Sequence, residues 1–228
     1  MPLIELNGKR ILYIHVPKTG GTTVETWLES LAPLRFRTVG VPSALNCTAQ
    51  HLRYEDFEEL FGEGAFDYAF MTVRDPFARL ASEYRMQIEL AKERFFGEMQ
   101  KFTPWLAQTL ARFERDPFVL DNHIRPQWEF GGDDVEVFRL EEGLETILAR
   151  VAGKIGVPAP EGIAHALKTG GTGPKTKGKW ARARDARAAA ARPAPRLRWT
   201  KANIRRVREF YAADFEEFGY PDTAPEAG

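Results

Sequence analysis

The sequence of 228 residues is short of several features that would set it apart from ordinary globular proteins. Cysteine occurs once, at Cys47, so the chain cannot form an internal disulfide framework. No apolar run approaches the roughly 20 residues that a helix needs to cross a bilayer. Residues 1–8 lack the basic start and long apolar core of a secretion signal. These absences predict a cytoplasmic protein with no transmembrane segment.

Net charge is also absent, but the charges are unevenly spread. Lysine and arginine number 32, as do aspartate and glutamate. Between Lys168 and Arg208, fourteen basic residues accompany one acid, Asp185, which gives +13 there and −13 elsewhere. The composition predicts a basic, mobile loop at 168–198 and a loose tail at 222–228. The loop is either a solvated insert or a segment that closes over an anion or guides an acidic polymer. No nucleic-acid reading motif accompanies it, so no nucleic-acid partner is expected.

Composition and periodicity predict one α/β domain over residues 1–221. Hydrophobic residues make up 43% of the chain and charged residues 28%, which is typical of a globular protein with a substantial core. Apolar runs predict strands, and amphipathic runs predict helices. The strands are expected at 10–16, 67–73 and 134–139, and the helices at 22–32, 53–61, 76–96, 102–115, 141–153 and 201–218. This alternation predicts a parallel β-sheet flanked by helices.

The first strand leads into a glycine pair surrounded by hydroxyls, P-K-T-G-G-T-T at residues 17–23. The glycines permit a tight turn that points several N–H groups one way at a helix start, where the helix dipole favours an anion. Lys18 adds a full positive charge. The stretch is either a P-loop-like phosphate- or sulfate-binding loop or an ordinary strand–turn–helix with a solvated lysine. The lysine precedes the glycines, unlike in a Walker A loop, which weakens an ATPase interpretation.

A second polar cluster follows the strand at 67–73. Asp75 is a good N-cap, and Pro76 suits the first turn of the next helix. Arg74 therefore lies at the carboxyl end of the strand, where open α/β sheets bind ligands. An arginine can bind a phosphate through two hydrogen bonds, and a serine hydroxyl can donate to the same group. Ser82 follows two helical turns later. The alternative is that Arg74 caps the helix in a salt bridge with Asp75 and that Ser82 lies on the surface.

Together the two clusters resemble the cofactor signatures of sulfotransferases that use 3'-phosphoadenosine 5'-phosphosulfate (PAPS). The motifs are P-K-T-G-G-T-T after one strand and V-R-D-P-F-A-R-L-A-S-E-Y-R after a later strand. Further similarities lie at 121–127, 137–141 and 211–220, so the likeness covers nearly the whole chain. The nearest likeness is to the group that includes the glycan 2-O-sulfotransferases. Its animal members are Golgi membrane enzymes, so the missing anchor is a departure and suggests a bacterial setting.

The resemblance implies a role for each cluster. It implies that the first loop holds the 5'-phosphosulfate, through Lys18, Thr19, Gly20, Gly21, Thr22 and Thr23. It implies that Arg74 and Ser82 hold the 3'-phosphate. The expected reaction moves the sulfuryl group by in-line displacement to a hydroxyl, on a carbohydrate, and leaves adenosine 3',5'-bisphosphate. Lys18 is expected to neutralise charge on the bridging oxygen as the bond to sulfur breaks.

Removing the acceptor's proton calls for a base, and histidine suits neutral pH. His51 is the first candidate, since it resembles the base of glycan 2-O-sulfotransferases in position; the alternative is a histidine that caps a helix start. His123 comes next, because with Arg125 and Gln127 it forms a polar cluster suited to binding a sugar. His15 fits a core position within a strand, and His165 has no supporting neighbours. No cluster has metal-ligand spacing, so no metal is expected.

The sequence is also compatible with two other classes of function. A nucleotide-dependent phosphotransferase would use the same first loop but would need Mg²⁺ and ATP. A non-catalytic polyanion-binding protein would rely on residues 168–208 and would not need His51. Glu55 and Asp56 are carboxylate alternatives for the base, although both fit the first turn of a helix. The acceptor's identity and the oligomeric state are not fixed by the sequence.

Overall fold

The sheet of the computed structural model is mixed. The structure describes residues 1–37, 40–95, 101–162 and 197–223. The strands within these ranges are β1 (Leu3–Leu6), β2 (Lys9–Ile14), β3 (Tyr68–Val73) and β4 (Val135–Arg139), in the spatial order β1-β2-β3-β4. Strands β2, β3 and β4 are parallel to one another, whereas β1 pairs antiparallel with β2. The α/β class is therefore confirmed.

The prediction of a wholly parallel sheet is wrong at β1. Leu3 lies opposite Leu12, and Ile4 lies opposite Ile11, so this strand extends the sheet as a hairpin. Asn7 and Gly8 turn the chain with φ of 52° and 76°. Asn-Gly is the preferred pair for a two-residue turn in which both residues have positive φ. The sequence signal for the hairpin was therefore present at Asn7-Gly8.

The helices lie close to their predicted positions. Those described are α1 (Gly21–Leu31), α2 (Tyr54–Phe61), α3 (Pro76–Phe95), α4 (Phe102–Phe113), α5 (Leu144–Ile155), α6 (Lys201–Phe210) and α7 (Ala212–Glu217). The single helix expected at 201–218 is two helices that meet at Tyr211, whose φ of −106° and ψ of 26° leave the helical range. No helix in the described ranges has the length and apolar character to cross a membrane. Most of the basic stretch at 168–198 and the end of the tail fall outside the described residues.

Both faces of the sheet are buried, which explains why β2 and β3 read as continuous apolar runs. Along β2, Leu12 and Ile14 face the larger core, which also contains residues of α3, α4 and α6. Ile11 and Tyr13 face the opposite core with residues of α1 and α5. Side chains alternate between the faces of a strand, so one strand contributes to both cores. The described residues form one α/β domain with helices on both faces.

The three parallel strands end at the same edge of the sheet. The chain leaves β2 for α1, β3 for α3, and β4 for a short 3-10 helix at Leu140–Glu142 and then α5. The carboxyl ends of parallel strands are where open α/β sheets place their ligands. This edge gathers the loop after β2 and the residues just after β3.

Candidate functional site

The loop after β2 turns sharply before α1 begins. Lys18 and Gly20 both adopt positive φ, of 71° and 94°. Gly20 is the N-cap residue of α1, and the first turn contains no capping side chain and no acidic residue. The positive end of this helix is thus not neutralised in its first turn by the chain itself, a condition that favours an external anion.

Gly21 is required by the close approach of a histidine. A Cβ added at Gly21 would lie 2.2 Å from Nε2 of His15, a distance no side chain tolerates. The second glycine of the pair therefore makes room for the His15 ring as well as starting the helix. His15 itself lies just beyond the end of β2 and is 6% exposed.

The three threonines of the loop are placed differently. Thr19 is fully buried, and its hydroxyl donates to the Val16 carbonyl at 2.7 Å and contacts Oγ1 of Thr72 at 2.9 Å. Its side chain therefore faces the protein interior, so any contact of Thr19 with a ligand would come from its backbone. Thr22 is exposed and Thr23 is half-buried. Both are therefore more accessible than Thr19.

The two predicted anion-binding clusters meet at the carboxyl edge. Nη1 of Arg74 lies 3.4 Å from the carbonyl oxygen of Lys18. Burial, and to a smaller extent the charge of Arg74, lowers the pKa of Lys18 against the opposing effect of Glu83. Burial also lowers the pKa of Arg74. Two partly buried cations close together are costly unless an anion accompanies them. Ser82 is half-buried on α3, which begins two residues after Arg74.

A buried arginine that the sequence analysis did not single out joins the surrounding loops. Arg79 on α3 is 2% exposed and donates to three carbonyl oxygens. The acceptors are Pro17 at 3.0 Å, Arg125 at 2.9 Å and His123 at 3.0 Å. Because a buried cation is tolerated only with such partners, Arg79 fixes the loop after β2 against the segment around His123. Its signal in the sequence is a charged residue among the apolar neighbours of F-A-R-L-A.

Three of the four histidines form a row beside this edge. The ring centroids of His15 and His51 are 5.1 Å apart, and those of His51 and His123 are 4.9 Å apart, each pair edge to face. The Nδ1 atom of each ring faces a carboxylate. The pairs are His15 with Glu25, His51 with Asp121 at 2.7 Å, and His123 with Glu83 at 2.6 Å. A carboxylate on Nδ1 fixes the orientation and tautomer of an imidazole and leaves Nε2 for other chemistry.

His51, the first candidate for the base, is held neutral. Burial lowers its pKa to about 4, and the bond to Asp121 only partly offsets that effect. A neutral ring whose Nδ1–H donates to Asp121 has a lone pair at Nε2, which is the protonation state of a general base. Asp121 is fixed in turn by Thr48, whose backbone N–H and hydroxyl donate to it at 2.6 and 2.9 Å.

Asp121 lies in an unusual backbone segment. Leu120, Asp121 and Asn122 follow one another with φ of 54°, 59° and 64°, in the left-handed region. Each non-glycine residue there costs on the order of 1 kcal/mol. Asn122 offsets part of that cost, because its amide donates to the His51 carbonyl at 2.9 Å and its Oδ1 accepts from Nε of Arg125 at 3.1 Å. The turn presents Asp121 to His51.

Two residues predicted to contact substrate have protein partners instead. Arg125 is 5% exposed and bonds Asn122 and Glu129. Gln127 is fully buried and bonds the backbone of Arg74. Neither side chain is free to bind a sugar in this structure. His123 is the member of that predicted cluster whose side chain stays partly exposed, at 13%.

His51, Asp121 and His123 also lie close enough to be considered as metal ligands. Potential ligand atoms of the three residues lie within 4.8 Å of one another. In the structure, Asp121 is already bonded to Nδ1 of His51, which accounts for their proximity without an ion. That no metal is required stays a prediction.

The fold and the site together define an α/β protein with two cations and a row of histidines at the carboxyl edge of its sheet. A family model described as the sulfotransferase family matches residues 6–221. The chain therefore belongs to the sulfotransferase family, and the reaction class is sulfuryl transfer to a hydroxyl acceptor. Neither the curated proteins nor the solved structures gave a significant match.

Proposed function

We propose that the protein transfers the sulfuryl group of PAPS to a carbohydrate hydroxyl, with a histidine as the base. The observation that carries the proposal is the contact between Arg74 and the Lys18 carbonyl, which brings the two predicted anion-binding clusters together. A nucleotide with phosphate groups at both its 3' and 5' positions offers one anion to each cluster. This donor set fits, since two cations and a helix whose first turn contains no acidic residue suit a polyanion.

The proposed donor site is P-loop-like and is divided between two groups. Lys18 and the backbone amides from Thr19 to Thr23 bind the 5'-phosphosulfate, and Arg74 and Ser82 bind the 3'-phosphate. PAPS supplies an activated sulfuryl group with a phosphate as the leaving group. The Lys18 ammonium stabilises the negative charge that develops on the bridging oxygen.

The proposed base is His51. As the acceptor oxygen bonds to sulfur, its proton passes to Nε2 of His51, and the electrons of the broken sulfur–oxygen bond remain on the phosphate. Asp121 keeps the Nδ1 proton in place and stabilises the imidazolium that forms, which is the role of a carboxylate in hydrolytic triads. A nearby polyanion also favours the protonated ring, so the pKa of His51 is expected to rise from its low value when the donor binds.

A carbohydrate acceptor, as in the glycan 2-O-sulfotransferase-like group, is the proposed substrate class. Its support is that the position of His51 in the sequence resembles that of the base in this group. His123 is the proposed acceptor contact, because it is adjacent to His51 and partly exposed. Arg125 and Gln127 are not included, since both are held by protein partners.

The test is a transfer assay with labelled PAPS against a panel of glycans and small alcohols. Lys18→Ala is expected to abolish transfer while the melting temperature is retained. Lys154→Ala is the matched control, because Lys154 is 61% exposed on α5. Calorimetry should show adenosine 3',5'-bisphosphate bound more tightly than ATP with Mg²⁺. The opposite preference would replace the proposal with a phosphotransferase, and binding without turnover on any acceptor would replace it with a polyanion-binding protein.

A further inference from the structure

The backbone of Arg74 is bonded on both sides by a single side chain. The Arg74 N–H donates to Oε1 of Gln127 at 2.9 Å, and Nε2 of Gln127 donates to the Arg74 carbonyl at 2.8 Å. These groups lie beyond the last residue of β3, where the ladder to β4 has ended. The Gln127 amide therefore supplies the backbone hydrogen bonds that the sheet no longer provides at this point. These bonds fix the backbone from which the Arg74 guanidinium extends.

Gln127 is held in turn by the C-terminal part of the chain. Its Nε2 lies 3.3 Å from Oδ2 of Asp214 on α7, and the other carboxylate oxygen accepts from the Trp128 N–H at 3.0 Å. The side chains of Gln127 and Asp214 are both fully buried. A buried carboxylate is costly unless its bonds are satisfied, so Asp214 is a specific partner of this segment and no incidental neighbour.

We propose that Gln127 and Asp214 are positioning residues that place the Arg74 guanidinium and thereby determine the preference for a 3'-phosphorylated nucleotide. The inference rests on the proposed function, in which Arg74 binds the 3'-phosphate. Arginine recognises phosphate through two parallel hydrogen bonds, whose strength depends on the angle and distance of the guanidinium plane. If the backbone of Arg74 is free to shift, this contact weakens directly. The loop after β2 is affected less, because Arg74 reaches it only through the 3.4 Å contact with the Lys18 carbonyl.

A purely structural role for the two residues predicts a different pattern. Loss of buried hydrogen bonds alone would lower the melting temperature and weaken all nucleotides to the same extent. A positioning role changes the ratio of two affinities. The informative ligands are adenosine 3',5'-bisphosphate and adenosine 5'-monophosphate, because they differ only in the group that Arg74 is proposed to bind.

The first experiment measures both affinities by calorimetry for Gln127→Met. We expect the bisphosphate to bind about tenfold more weakly or worse and the monophosphate to change less than about threefold, since one bidentate contact is affected. Gln108→Met is the matched control, because Gln108 is exposed on α4, and it should match the unmodified protein. Equal weakening of both ligands, or no change in either, would overturn the proposal.

Asp214→Asn is a second test of the same contact, for use if Gln127→Met does not fold. It keeps an oxygen for the Trp128 N–H and replaces the acceptor of Gln127 by a donor, so the same selective loss is expected on a smaller scale. Arg74→Ala then separates the two proposals. If Arg74→Ala leaves bisphosphate affinity intact, the proposed function fails and this inference fails with it. If Arg74→Ala weakens binding but adding Gln127→Met weakens it by the same factor again, Gln127 does not act through Arg74 and only the inference fails.

Discussion

The protonation of His51 is set by its burial, and this has a consequence for stability. In the unfolded chain its pKa is near 6.5, whereas in the folded protein it is about 4. Between these values the unfolded chain binds a proton that the folded protein does not, so stability is complete above pH 6.5 and falls as the pH decreases. From pH 6.5 to 5 the titration of His51 alone is expected to lower the free energy of unfolding by about 1–2 kcal/mol.

Urea unfolding at pH 6.5 and pH 5 measures this dependence. His51→Gln removes the titrating ring, so over the same interval the variant should lose about 1–2 kcal/mol less than the unmodified protein. The buried amine of Met1, whose pKa burial lowers to about 4, contributes equally to both proteins. The acidic partners in the histidine row, whose pKa values are lowered, remain ionised throughout this interval. Equal losses in the two proteins would show that His51 does not titrate as described.

The pairing of Asp121 with His51 is visible only in the three-dimensional structure, and its proposed role in catalysis is testable. Asp121→Asn keeps the size of the side chain but removes the charge that stabilises a protonated His51. We expect kcat to fall on the order of 100-fold or more with little change in the KM for the donor. Asp133→Asn, at an exposed position before β4, is the matched control for steady-state kinetics. A change in donor KM with kcat preserved would instead place Asp121 at the donor site.

A substitution at Gly21 tests how the loop after β2 packs against the row of histidines. Gly21→Ala would drive a methyl group into the His15 ring, and we expect a loss of about 1–3 kcal/mol in the free energy of unfolding. Gly153→Ala on α5 is the control, because the added Cβ meets nothing within 4 Å. That substitution should stabilise the helix by about 0.5–1 kcal/mol. Thermal unfolding of both variants would contradict the description if their effects had the same sign.

At the scale of elements, the C-terminal segment reaches Arg74 and Asp75 by a second route. The Tyr220 hydroxyl donates to Oε2 of Glu141 at 2.8 Å, and Oε1 of Glu141 accepts from the Asp75 N–H at 3.0 Å. Arg139 lies over the Tyr220 ring at 4.3 Å and holds it in place. The segment after β3 is therefore bonded by Gln127 on one side and Glu141 on the other.

This second route predicts that a hydroxyl far along the chain affects donor binding. Tyr220→Phe removes the bond to Glu141. We expect a loss of roughly threefold to tenfold in affinity for adenosine 3',5'-bisphosphate, the size of one ordinary hydrogen bond, because the lost bond acts on the donor site only through Glu141 and Asp75. Tyr68→Phe is the control, since Tyr68 donates to Glu136 at 2.7 Å from the start of β3, away from the carboxyl edge. If calorimetry gives the two variants the same affinity, the bonds from Tyr220 through Glu141 to Asp75 do not affect donor binding.

Local patterns predicted most elements because their signals are short in range. The strand and glycine pair around Lys18 and the N-cap at Asp75 could be located from neighbouring residues alone. The left-handed segment at Leu120–Asn122 could not, because no glycine indicates it and its cost is offset by bonds to Thr48 and His51, distant in sequence. The row of histidines was hidden for the same reason, since its members come from separate loops.

At the scale of the whole molecule, sequence and structure differ most in what they say about polar residues. Arg125 and Gln127 have the residue types of a sugar site, but the fold buries them. Residue type predicts which chemistry a side chain is capable of, whereas burial and bonding decide whether it is available. The prediction of a donor site at Lys18 and Arg74 depends less on distant partners, because both residues directly follow strands that end at the same edge.

A donor that joins these two regions should stabilise the entire domain. A ligand that binds only the folded protein, at 100 times its Kd, adds about 2.7 kcal/mol to the free energy of unfolding. For a chain of this size that corresponds to a rise in Tm of roughly 5–10 °C. Adenosine 3',5'-bisphosphate should give this rise in a thermal scan, whereas adenosine 5'-monophosphate at the same concentration should give less.

Lys18→Ala and Arg74→Ala should each reduce the shift in Tm, and EDTA should not change it. A shift that persists in both variants would mean that the nucleotide binds elsewhere, and a shift abolished by EDTA would mean that a metal takes part in holding it.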